Sequence, residues 1–118
     1  MLNKDGSRND DGMIKIHRNV ISSISAIASI EVDGVKSIGK NLKSRFFEFL
    51  GRRSPSTIRV EFDKNSEVWV LIPIVIKYGY NIPETASKVQ ENVRTALEKM
   101  TNLSIKEINI NVKSIEKG

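Results

Sequence analysis

The sequence predicts an α+β fold: a two-layer sandwich in which a small mixed sheet of about four to five strands carries two main helices on one face. Three observations predict it. Apolar residues recur at three- and four-residue steps in two separate stretches, 19–31 and 82–101, the period of a helix with one buried side. Around them lie "TIRVEF", "EVWVLIPIVIKYG" and "SIKEININVKSI", which alternate or run apolar as half-covered or fully covered strands do. The order of elements is strand, helix, strand, optional helix, strand, strand, helix, strand, most economically two layers around one core.

Length sets the scale. A chain of 118 residues holds one domain with one real core, taken as residues 13–115, with a flexible tail at 1–12 and a short one at 116–118. The first twelve residues mix Gly, Asn, Asp and Ser with charges and offer nothing to bury. "MIKI" reads as a short strand. From Asn19, a suitable N-cap, the positions Val20, Ile21, Ile24, Ile27, Ala28 and Ile30 define a helix with a broad buried face and serines between them. Asp33-Gly34 breaks the pattern, and "VKSI" follows as a brief strand. "NLKSRFFEFLGRR" puts Leu42, Phe46, Phe49 and Leu50 on one side of a short helix, and "GRRSPS" is a loop.

A hairpin comes next. Ile58, Val60 and Phe62 face inward against Thr57, Arg59 and Glu61. Asp63-Lys64-Asn65-Ser66 supplies turn chemistry. The following strand, 67–78, is apolar at nearly every position, so both its faces should be covered. Pro73 in its middle cannot donate to a ladder and implies a bulge or an outward-facing edge. Asn81, with Glu84 three residues on and Pro83 in the first turn, starts the second helix. Its core stripe is Ile82, Ala86, Val89, Val93, Leu97 and Met100, and Asn102 is placed to take a left-handed C-cap. The last strand turns Ile108, Ile110 and Val112 inward against Asn109, Asn111 and Lys113.

The charge is unevenly placed. The chain carries a net charge of +5, and residues 34–65 hold eight basic and three acidic groups, which is the whole excess. Lys36, Lys40, Lys43, Arg45, Arg52 and Arg53 face a single acid, Glu48. Such a cluster suits a polyanion, either nucleic acid or an anionic membrane; a solvated, solubilising loop has the same composition. Phe46, Phe47 and Phe49 beside it could stack on bases or lie in a lipid interface, and the same spacing also suits burial.

Catalytic chemistry finds little support. There is no cysteine, which excludes disulfides, thiolate metal sites and a cysteine nucleophile. His17 is the single histidine, so the common zinc constellations are excluded, and it reads as an exposed or capping residue. None of the seven glycines makes a phosphate-cradling pattern or a GXXG clamp. No apolar run reaches the roughly 20 residues of a spanning helix, and the polar N-terminus has no secretory signal. A cytoplasmic, non-enzymatic protein with no cofactor and no small-molecule substrate is expected.

Taken together, "NVISSISAIASIEVDGVKSIG", "TIRVEF" and "VWVLIPIVIKYGYNIPETASKVQENVRTALEKMTNLSIKEININV" resemble the alkaline-shock-protein (Gls24-type) envelope stress response family of bacteria. The resemblance covers roughly residues 14 to 114. Its most specific parts are "YG" followed by "IPE", then "VQENV" and "EININV", with "EVDGV" ending the first helix. The family often has glycine where this chain has Asn102, and many members are less basic in the middle segment. The resemblance implies a small non-catalytic protein of envelope stress and homeostasis, cytoplasmic and often held beside the membrane by membrane-protein partners. It carries over no catalytic or cofactor residues.

Two surfaces are therefore candidates for an adaptor that binds a membrane-protein partner or itself. One is a polyanion or membrane-surface contact made of Lys36, Lys40, Lys43, Arg45, Phe46, Phe49, Arg52 and Arg53, within a basic segment at 36–56. The other is a docking face on the second helix: Gln90, Glu91, Asn92, Arg94 and Glu98. Nucleic-acid binding through the basic segment is the alternative.

Overall fold

The computed structural model describes residues 6–39 and 58–118. In chain order the elements are α1 (Gly6–Ile30), β1 (Val35–Ile38), β2 (Arg59–Phe62), β3 (Glu67–Lys77), α2 (Ile82–Met100) and β4 (Ser104–Glu116). The expected short helix in 42–50 lies outside the described residues.

β3 organises the sheet because it is the strand apolar on both faces. β1 and β2 pair antiparallel with successive halves of one of its edges, and β4 pairs parallel along the whole of the other. The sheet is thus mixed, with four strands. Val68, Val70, Ile72, Ile74 and Ile76 alternate toward the helices and join one cluster with Ile21 and Ala28 of α1 and Val89, Val93 and Leu97 of α2. Both helices therefore lie on one face, as the patterning requires. The parallel β3–β4 pair makes β3-α2-β4 a crossover unit.

Pro73 sits where it does least harm. Its carbonyl accepts from the Gly39 amide at 3.1 Å. A strand residue turns its N and O to the same edge, so the ring nitrogen faces the seam between β2, paired up to Leu71, and β1, paired from Ile74. No ladder bond is lost there. Register slips leave one extra residue at three places: Lys36 in β1, and Lys106 and Lys113 in β4. All three bulges fall on lysines.

The β2–β3 turn is held by Asp63, whose Oδ1 accepts from the Asn65 amide at 2.8 Å and the Glu67 amide at 3.0 Å. The Glu67 amide is the main cause of a carboxyl pKa below the ordinary value; the Asn65 amide and Trp69 act in the same direction against a smaller desolvation effect. Ser66 completes the turn with φ of 65°.

α2 starts as expected: Asn81 caps it by accepting from the Glu84 amide at 2.8 Å, with proline in the first turn. Its end differs. Thr101, in extended geometry, is the C-cap, and both its amide (2.9 Å) and its hydroxyl (2.8 Å) donate to the Leu97 carbonyl. That closes the last turn without a left-handed residue, so Asn102 has no such role. Met100, expected in the core, is 68% exposed because the helix runs past its packing partners there, while Thr85 is buried in the stripe instead.

α1 differs most from expectation. It begins at Gly6, so residues 6–12, expected within the tail, are helical, and "MIKI" is helix rather than strand. Asn19 accordingly lies inside the helix and does not cap it. Extending a formed helix gains a hydrogen bond per residue, whereas an isolated four-residue strand needs a neighbour to pair with. Its buried side is also rotated. Ile21, Ala28, Ser22, Ser25 and Ser29 are buried, and Ile24 is half-buried; Val20, Ile27 and Ile30 face solvent. Small serine side chains let α1 settle closely, and Arg18 stacks over the Phe62 ring with its guanidinium carbon 5.8 Å from the centroid.

Candidate docking surface

The polar side of α2 divides by geometry. Gln90 Nε2 donates to the Ile108 carbonyl at 2.6 Å, and an Arg94 guanidinium nitrogen to the Ile105 carbonyl at 2.9 Å. Those carbonyls flank the bulge at Lys106. A bulge interrupts its ladder locally, and α2 supplies donors on either side of it. On the opposite flank, Asn92 Nδ2 donates to the Ala28 carbonyl at 2.7 Å and to Glu31 Oε1 at 3.3 Å, tying α2 to α1. Gln90, Asn92 and Arg94 thus act as tethers within the domain. Glu91 and Glu98 stay on the exposed ridge between the flanks, where Glu98 lies 3.6 Å from Arg94 and Glu84 lies 3.5 Å from Lys88.

Of the basic surface, only Lys36 lies among the described residues. It is half-buried and reaches across β3 to Glu116 at 3.2 Å. Lys40, Lys43, Arg45, Phe46, Phe49, Arg52 and Arg53 lie outside the described residues. Among the described residues no group of three or more His, Cys, Asp or Glu could hold a metal ion, and no helix is long and apolar enough to cross a membrane.

The sequence reading missed the outward side of α1. Val20, Ile27 and Ile30 are 41%, 59% and 49% exposed. Ile27 stands one turn before Glu31 on the same side, and Glu31 opens onto a groove of about 530 Å³ between the end of α1 and α2, lined also by Asp33, Lys88 and Glu91. The signal that could have found this stripe is its spacing, separable from that of the core row. Two of the motif stretches meet nearby. Gly34 has φ of 102°, and a Cβ there would come 2.7 Å from the Tyr80 ring and 3.2 Å from Thr85. Glycine is therefore required both by conformation and by close packing, and "EVDGV" and "YGY" are parts of one junction.

The described surface is that of a small α+β domain with an outward aliphatic stripe on α1 and an open groove beside it. Over residues 6–117 the chain matches the alkaline-shock-protein-23 family, described as having a cell envelope-related function, and it belongs to that family. This is the alkaline-shock family that the motifs resemble. The chain is 33% identical over 117 residues to the uncharacterized protein YqhY of Bacillus subtilis (strain 168), covering 98% of this chain and 86% of that protein. It is 27% identical over 106 residues to the uncharacterized protein Spy1535 of Streptococcus pyogenes serotype M6, covering 88% and 79%. Among solved structures, a MamM-CTD variant aligns with a TM-score of 0.51 over 83% of this chain and 94% of that one. At 14% identity that likeness concerns the fold alone.

Proposed function

We propose that this protein is a non-enzymatic adaptor of the cell envelope, acting at the cytoplasmic face of the membrane through a protein partner or through its own copies. The observation that carries the reading is the outward aliphatic stripe of α1, which leaves Val20, Ile27 and Ile30 in solvent on a helix whose buried side is already complete. Exposed aliphatic side chains in a row mark contact surfaces. Membership of an envelope-related family supplies the setting. Gln90, Asn92 and Arg94 hold α2 in place, and Glu91 and Glu98 are the members of the α2 face left to meet a partner.

The test is membrane fractionation of cells carrying a tagged chain, followed by cross-linking and capture. The adaptor reading expects the protein in the membrane fraction, released by carbonate or high salt, with a membrane protein cross-linked to it. Aspartate at Ile27 and at Val20 should abolish that capture. Recovery only in the soluble fraction, with no membrane protein captured, would overturn the reading.

A further inference from the structure

We propose that a second copy of this chain covers the outward stripe of α1, through the same stripe on its own α1. This rests on the adaptor reading above and names the surface by which copies associate. The stripe is a regular seam. In sequence, Met13, Ile16, Val20, Ser23, Ile27 and Ile30 follow one another at steps of three, four, three, four and three, and the α1 backbone is helical throughout that range. Alternating steps of three and four are the a and d positions of a helix pair. The side chains of Val20, Ile27 and Ile30 are 41%, 59% and 49% exposed. The core-facing row, Ile21, Ser25, Ala28 and Val32, follows its own steps of four, three and four on another side of the helix. The outward seam is therefore a second seam, distinct from the margin of the core.

The chemistry beside the seam selects the occupant. A helix that lies on an anionic membrane carries lysine or arginine along the flanks of its apolar face. Among the described residues the flanks of the seam carry His17, Asn19, Ala26 and Glu31, with Asp33 just beyond, and the Arg18 guanidinium lies over the Phe62 ring at 5.8 Å. A neutral-to-acidic flank disfavours such a surface. An apolar seam of heptad spacing is complementary to another like it, and two identical seams close under a twofold axis. The area sets the strength. From Val20 to Ile30 eleven residues of helix span about 16 Å, and a strip about 10–12 Å wide gives a footprint of roughly 180 Å². That is well below the roughly 800 Å² per partner of a stable interface, so the dimer forms and dissociates with concentration.

Sedimentation velocity on the full chain, from about 5 µM to about 500 µM, tests this across the micromolar range of affinity. Wild type should pass from monomer to dimer. Ile27→Asp and, separately, Val20→Asp should each weaken the dimer at least about 100-fold, because symmetry buries the new charge twice. Met100→Ser, at an exposed residue off the seam, should behave as wild type. Circular dichroism melts check that each variant folds, and Ile30→Ser replaces any that does not. A wild type that stays monomeric throughout overturns the proposal, as does a dimer that survives the seam substitutions. A monomer that nevertheless captures a membrane protein through α1 overturns the second copy and leaves the adaptor reading standing. A seam-dependent dimer found only in the soluble fraction, with no membrane protein captured, upholds the second copy and overturns the adaptor reading.

Discussion

Ser25 and Ser29 show how a single residue type can mislead a pattern. Both are fully buried, and neither hydroxyl meets a hydrogen-bond partner. A buried unpaired hydroxyl costs roughly 1–3 kcal/mol, and alanine also has the higher helix propensity. The double change Ser25→Ala/Ser29→Ala should therefore stabilise the fold by about 2 kcal/mol, about 1 for each hydroxyl, raising Tm by about 8 °C in a chain of 118 residues. A thermal melt checks it, and a lower Tm would mean that the hydroxyls are bonded. In sequence, serine reads as the polar side of α1 because its hydroxyl suits water. Its small volume matters more here, since it allows close packing where isoleucine would not fit.

At the scale of elements, β2, β3 and the start of α2 were legible because each local signal agrees with its tertiary setting. Ile58 and Val60 face the core, Arg59 and Glu61 face solvent, and Asn81 caps α2. The docking face proposed on α2 was legible only as a run of polar residues. Whether each one meets solvent or a carbonyl depends on which element lies on that flank. Arg94 separates these roles. Arg94→Ala removes a charge-assisted hydrogen bond to the Ile105 carbonyl and should cost about 1.5–3 kcal/mol. Glu98→Ala removes only an exposed i,i+4 pair and should cost at most about 0.5 kcal/mol. Urea unfolding of the two variants reads the difference directly. Equal losses would make the surface ion pair, not the tether to β4, the source of the effect.

For the whole molecule, the long edge of β4 is the feature to manage. Among the described residues β4 pairs only with β3, and it runs for 13 residues. Unpaired edges recruit other strands unless bulges and charges blunt them. The two β4 bulges fall on Lys106 and Lys113. Lys106 also lies 3.4 Å from Glu67 and 5.7 Å from the Trp69 ring centroid, which fixes its stem across the sheet. Lys106→Val/Lys113→Val should leave the helices intact by circular dichroism and raise light scattering and thioflavin binding on concentration. Unchanged scattering would show that the lysines do not guard the edge. This edge and the α1 seam are separate surfaces, so the Val20 and Ile27 substitutions should not alter that outcome.

The sequence by itself determined the class, the four strands of the sheet, the second helix with its N-cap and the family motifs, because periodicity and N-capping are local and survive in one dimension. It also contained both rows of α1, since the three-and-four spacing of residues 13 to 30 can be read without coordinates. Only the tertiary structure decided which row is buried. Two apolar rows on one helix compete for a single core, and the choice falls on the row whose serines and alanine allow close approach to the sheet and α2. That choice left Val20, Ile27 and Ile30 outside.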